Sequence, residues 1–207
     1  SSNVVSLQEI LVDKRARGAF GEIQLESLIK NILPPKHYAF QKTLSNNTRV
    51  DCLLSLPEPT GNIAIDSKFP LEAYQRMTNF NASELERKNA ANKFRQDIKT
   101  HINAIANKYI IPGETTESAI LFLPAEAIFA EIHHNYADLV EYSHQKKIWL
   151  TSPTTMMAIL TTASSVIKDQ ARAEHIKLIQ EHLIKLGDDF SRFRTRMDKL
   201  SKHIDQA

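Results

Sequence analysis

Between residues 119 and 123 the chain reads Ala-Ile-Leu-Phe-Leu, and no other stretch constrains the fold as tightly. Side chains on a strand alternate between the two faces of a sheet, so a wholly apolar run is a central strand buried on both sides. Three shorter extended runs come before it: 38–44 (YAFQKTL), 49–56 (RVDCLLSL) and 62–69 (NIAIDSKF). Ser-Asn-Asn and the stretch from Pro57 to Gly61 separate them, the pattern of an antiparallel meander.

Helical spacing fills the intervals. Phe20, Ile23, Leu25, Leu28, Ile29 and Ile32 predict a first helix over 18–32, stopped by Pro34 and Pro35. Phe94, Ile98, Ile102 and Ile105 predict a long helix from Ala90 to Tyr109. A helix over about 125–144, a short strand near Ile148–Leu150 and a helix opened by Ser152 and Pro153 complete the order αβββαβαβα. The expected fold is α/β, a central mixed sheet flanked by helices.

Past residue 172 the pattern changes. Ile176, Ile179, Leu183, Leu186, Phe190, Phe193, Met197, Leu200 and Ile204 alternate spacings of three and four, a sustained heptad stripe. Such a seam is covered either by the chain's own domain or by another helix, and the expected outcome is self-association into a homo-oligomer. Val4, Leu7 and Leu11 repeat the spacing at the other end. The division is therefore 1–17 as an N-terminal helix at the end of a coil, 18–172 as the globular domain and 173–207 as the amphipathic helix.

At 207 residues the chain holds one well-buried domain with an appendage, hence a single active centre. A net charge of +2 leaves nucleic-acid contact to a local basic patch. The one cysteine, Cys52, excludes an internal disulfide and suits a reducing cytoplasm. No apolar run approaches the roughly 20 residues that span a bilayer, so the chain as given is expected to be soluble. It starts Ser-Ser-Asn without methionine, which reads as the trimmed end of a longer protein.

Chemistry concentrates in the third extended run, where Ala64, Asp66 and Lys68 share one face and Ile63 and Ile65 the other. One face is then core and the other polar. A hairpin centred near residue 59 brings Asp51 opposite residues 66–68, and to share their face it must pair with Asp66 or Lys68. Two converging carboxylates repel unless a cation lies between them, and oxygen ligands suit Mg²⁺ or Mn²⁺. Such an ion polarises a phosphoryl oxygen and acidifies a bound water, while a lysine holds that water or neutralises charge on the phosphate. This is equipment for hydrolysing a phosphodiester. A lone Asp-x-Lys is more often a surface ion pair, with Asp51 only ending a strand.

GAFGE at 18–22, Gln41, RVD at 49–51, IDSKFPLEAY at 65–74, FLPAEA at 122–127 and SPTT at 152–155 together resemble the RmuC family of bacterial DNA recombination proteins. The likeness covers about residues 18–170, with Phe20 where that family usually has tryptophan. It implies a restriction-endonuclease-like core of the PD-(D/E)xK type and a metal-dependent deoxyribonuclease. Asp51 and Asp66 would bind the metal, Lys68 would assist the water, and Glu22 would complete the site from the first helix. It also implies that the full-length protein carries a coiled coil and an anchor at the inner membrane. The rival expectations are a nuclease-like module that binds DNA or a protein without cutting, and a coiled-coil interaction protein with a globular platform.

Alone, Glu22 would be a solvated helix residue, and Glu26, one turn on, is the substitute site member. Gln41 is either an exposed strand residue or phosphate-facing. Glu126 reads as a helix-start carboxylate. Lys88, Arg95 and Lys99 line the long helix opposite its apolar stripe, and with Lys42 and Arg49 they are the candidate DNA track.

Overall fold

The computed structural model describes residues 13–205. Helix α1 (Lys14–Ile32) is capped by Asp13, whose side chain accepts from the Arg15 N–H at 3.0 Å, and ends before Pro34. A 3₁₀ turn (Pro35–His37) leads into β1 (Tyr38–Thr43), β2 (Arg49–Ser55) and β3 (Asn62–Ser67). Then come α2 (Leu71–Met77), α3 (Glu84–Tyr109), β4 (Ala119–Phe122), α4 (Glu126–Asn135), α5 (Ala137–Gln145), β5 (Ile148–Thr151) and α6 (Pro153–Asp205). The sheet order is β1-β2-β3-β4-β5, antiparallel over the first three strands and parallel from β3 to β5. The expected α/β architecture with a mixed sheet and flanking helices is present.

Both faces of the sheet are apolar. Leu53, Ala64, Ala119 and Leu121 join Phe94, Ile98, Ile102 and Ile105 of α3 and Ile128 and Ile132 of α4 in the main core. Their strand neighbours Cys52, Leu54, Ile65, Ile120 and Phe122 point the other way and are equally buried. This corrects the expectation of one polar face. Asp66 lies on the same side as Ala64, so the face is core along most of β3 and turns polar only at its end.

The elements differ from the sequence reading in several places. Helix α3 starts six residues before Ala90, because Ser83 and Glu86 form a capping box while its first two turns bury nothing. The helix expected over 125–144 is two, broken at Tyr136, whose φ of −130° is not helical. Helix α2 was not anticipated.

By compactness the chain divides between Ser164 and Ser165. The expected boundary at 172/173 falls within helix α6, and that at 17/18 within α1. Val4, Leu7 and Leu11 lie outside the described residues. In the second unit the heptad side chains from Ile176 to Met197 are all exposed, Phe190 to 70%. Among the described residues no helix is long and apolar enough to cross a membrane.

Candidate active site

The turn closing β2 to β3 sets the site. Gly61, at φ 72°, lets its carbonyl accept from the Leu56 N–H at 3.1 Å, a backbone conformation that side chains rarely tolerate. The resulting register pairs Cys52 with Ile65 and Leu53 with Ala64. Continued by one residue it sets Asp51 opposite Asp66, which decides between the two pairings the sequence allowed. Asp51 Oδ2 accepts from the Ser67 N–H at 2.7 Å. Asp66 is only 3% exposed, and Lys68 Nζ stands 2.8 Å from its Oδ2. That oxygen has no directed hydrogen bond, and the Lys68 ammonium stands against it.

Glu22 arrives from α1, which can approach β3 because residue 21 is glycine. A Cβ there would lie 2.6 Å from Ser67 Oγ and 3.2 Å from Pro124 Cγ. Gln41 enters from β1, where its amide nitrogen donates to Glu22 Oε2 at 3.1 Å and to Asp51 Oδ1 at 3.4 Å. Glu22, Gln41, Asp51, Asp66 and Lys68 are thus drawn into one cluster where the start of β2 meets the end of β3.

Charge is crowded there. Burial, then the charge of Asp66, lifts the Asp51 carboxyl above its usual range, against the Ser67 N–H, Lys68 and Gln41. Burial, then Asp51, lifts Glu22. Tyr109, which the sequence reading missed, ends α3 near both aspartates. Burial and their charges push its phenol upward, while its hydroxyl donates to the Arg49 carbonyl at 2.9 Å.

The donors suit a hard divalent cation: all are carboxylate oxygens, and one of them, on Asp66, is buried without a hydrogen bond. In this arrangement the Gln41 amide lies between Glu22 and Asp51, and the Lys68 ammonium on Asp66. Among the described residues no three His, Cys, Asp or Glu side chains stand close enough together to hold a metal.

Other candidates have different engagements. Glu26 is paired with Lys30 at 2.8 Å along α1. Glu126 opens α4 and accepts from the Thr154 N–H at 2.7 Å in the first turn of α6; burial is the largest single influence and raises its pKa, but hydrogen bonds from Thr154 and Ser152 together outweigh it and lower the pKa. The basic row is divided. Arg95 places Nε at 2.9 Å and a terminal nitrogen at 2.6 Å from Asp138 Oδ2, and Lys99 lies 5.2 Å over the Tyr142 ring, so both serve the α3–α5 seam. Lys88 is exposed near the start of α3, and Lys42 and Arg49 are exposed on β1 and β2.

Fold and site define an α/β protein whose mixed sheet ends in a cluster of carboxylates and one lysine. The family model described as the RmuC family matches residues 1–207, and the chain belongs to that family. It is 31% identical over 213 residues to a "DNA recombination protein RmuC homolog" of Chlamydia muridarum, covering 98% of this chain and 47% of that protein. The homolog from Xylella fastidiosa is 26% identical, with 99% and 47% covered. The DNA recombination protein RmuC of Escherichia coli K12 is 25% identical, with 94% and 42% covered. The chain therefore spans about half the length of the curated relatives it matches. No solved structure matches it.

Proposed function

We propose that this chain is the nuclease domain of a DNA recombination or repair protein, with a restriction-endonuclease-like core that hydrolyses phosphodiesters with Mg²⁺ or Mn²⁺. The observation that carries the reading is the placement of Asp51 and Asp66 on adjacent strands with Lys68 against the buried carboxylate. Burying a carboxylate costs several kcal/mol even after relaxation, and a fold has no need of that expense in a sheet interior. Membership in a family whose named relatives are DNA recombination proteins supports DNA as the substrate.

Glu22, Asp51 and Asp66 would hold the ion, after drawing closer together than they stand here. When bound, it would polarise the scissile phosphoryl group and acidify a water. Lys68 would orient that water or offset charge gathering on the phosphate, and the Ser67 N–H fixes the carboxylate of Asp51. Lys42, Arg49 and Lys88 remain exposed as phosphate contacts. The uncovered heptad side chains of α6 support self-association through that helix, which light scattering of this chain against one ending near Ala173 would test.

The direct test incubates the chain with linear, circular and branched DNA and Mg²⁺ or Mn²⁺, beside Asp66→Asn. Metal-dependent strand cleavage lost in the variant is the expected result. DNA binding without cleavage under every condition would support the non-cutting module instead.

A further inference from the structure

We propose, on the reading of DNA as the substrate but independently of cleavage or a bound ion, that the corner joining α5 to β5 docks single-stranded DNA. Trp149 stacks on a base there, while Lys99 and Lys146 meet the phosphates.

The aromatic part comes from the sheet edge. Strand β5 is the last of the sheet, and Trp149 is in register with Ile120 of β4. Ile120 is 3% exposed, whereas Trp149 is 51% exposed. His144, on the last turn of α5, stands beside the indole with ring centroids 5.1 Å apart and planes inclined by 48°. An aromatic plane half open to solvent is the surface on which an unpaired base stacks. The bases of a duplex are already stacked on one another, so the plane selects a single strand.

The cationic part comes from the helices. Lys99 of α3 and Lys146, just past α5, hold their ammonium groups 5.2 and 5.7 Å from the centre of the Tyr142 ring. That ring is itself fixed, since its hydroxyl donates to Asn103 Oδ1 of α3 at 2.6 Å. An aromatic face attracts a cation without neutralising it. Nearby cations are spent otherwise: Lys93 on Asp97, Arg95 on Asp138 and Lys147 on Glu117. Lys99 and Lys146 have no carboxylate partner among the described residues, so their charges are held in place and free for phosphate. The Lys146 and Lys147 N–H groups donate to the Tyr142 and His144 carbonyls at 3.1 and 2.9 Å, and Lys147 at φ 57° turns the chain into β5. Ring, cations and indole are therefore carried on one short hydrogen-bonded corner. Lysine is depleted in the cores of protein interfaces, whereas stacking rings beside unpaired cations are the combination that holds single strands.

Trp149 is the chain's single tryptophan, so its emission reports on this corner alone. With EDTA present to prevent cleavage, oligo(dT) of about 16 nucleotides should quench that emission in step with binding followed by anisotropy of a labelled strand. Closed circular duplex and inorganic polyphosphate should leave the emission unchanged. Trp149→Leu should weaken oligo(dT) binding about tenfold, and Trp149→Phe less, because phenylalanine keeps a stacking face. Lys99→Gln with Lys146→Gln should lower the salt dependence by the equivalent of about two phosphate contacts. Circular dichroism confirms the fold of each variant. Oligo(dT) that binds without quenching, equal quenching by duplex or polyphosphate, undiminished binding by Trp149→Leu or an unchanged salt slope in the lysine variant would each overturn the surface while leaving DNA as the substrate. Emission that follows protein concentration and ignores oligo(dT) would assign the indole to a contact between copies and overturn it too. No binding of single-stranded or duplex DNA would instead sink the DNA reading, and the surface with it.

Discussion

Strands β3 and β4 run side by side in parallel, and Asp66 on one is the direct neighbour of Leu121 on the other. The two side chains are buried to nearly the same degree, 3% and 0% exposed, yet one is a carboxylate and the other a hydrocarbon. Leu121 shows what this depth of the sheet accepts without cost. Asp66 therefore serves something other than packing, and its ion pair with Lys68 only limits the penalty, since a buried pair is often no more stable than apolar residues of similar volume.

The most severe way to sharpen this contrast is Lys68→Ala. Cleavage measured with labelled DNA and Mn²⁺ should fall about a hundred- to a thousandfold, the usual loss of one preorganised electrostatic contact. The same variant should lose about 1–3 kcal/mol in urea, less than a fully buried pair because the Lys68 side chain is 38% exposed. Intact cleavage would remove Lys68 from the chemistry.

Gly21→Ala should come next. Its Cβ, 2.6 Å from Ser67 Oγ, should cost about 1–3 kcal/mol and push Glu22 away from the site. Adding Ser67→Ala removes that oxygen and should restore most of the stability. Absence of recovery in the double variant, by urea melt, would mean that the contact does not set the distance of α1 from β3.

A smaller effect follows from crowding. Asp51 and Glu22 are raised above 3.8 and 4.5, so the folded chain holds protons that the unfolded chain has released. Metal-free stability should fall as pH rises from those ordinary values through the raised folded ones, then level off. Asp51→Asn should flatten part of that decline in thermal melts and change little at the acid end. A steeper decline would reverse the sign of the assigned repulsion.

Arg95→Ala should do least, leaving DNA affinity within about twofold because its charge is spent on Asp138, whereas Arg49→Ala should weaken binding and lower the salt dependence by about one ion. Equal losses in filter binding would restore the undivided basic track.

Much of the sheet was legible because alternation and turn spacing are local. The Pro57–Gly61 turn limited Asp51 to two partners, and one added register step chose between them. Helix α3 was read too short since Glu84–Lys88 bury nothing, although Ser83 followed by Glu86 carried a readable capping signal. The division of the basic row was not legible: Arg95 and Asp138 are 43 residues apart, and only the packing of α3 on α5 joins them. Gln41 was visible as a residue but its φ of 50° was not, because positive φ at a glutamine has no sequence signature. Ile23, counted toward the first helix's apolar stripe, is 66% exposed, since α1 turns Leu25 and Ile29 inward instead.

The most direct measurement on the charged end of β3 is a urea melt of Asp66→Leu combined with Lys68→Met, read beside its Mn²⁺-dependent cleavage of DNA. A carboxylate and lysine retained for chemistry predict a double variant at least as stable as wild type, with cleavage gone. A double variant several kcal/mol less stable, or one that still cuts DNA, would contradict the claim that these charges serve the reaction rather than the fold.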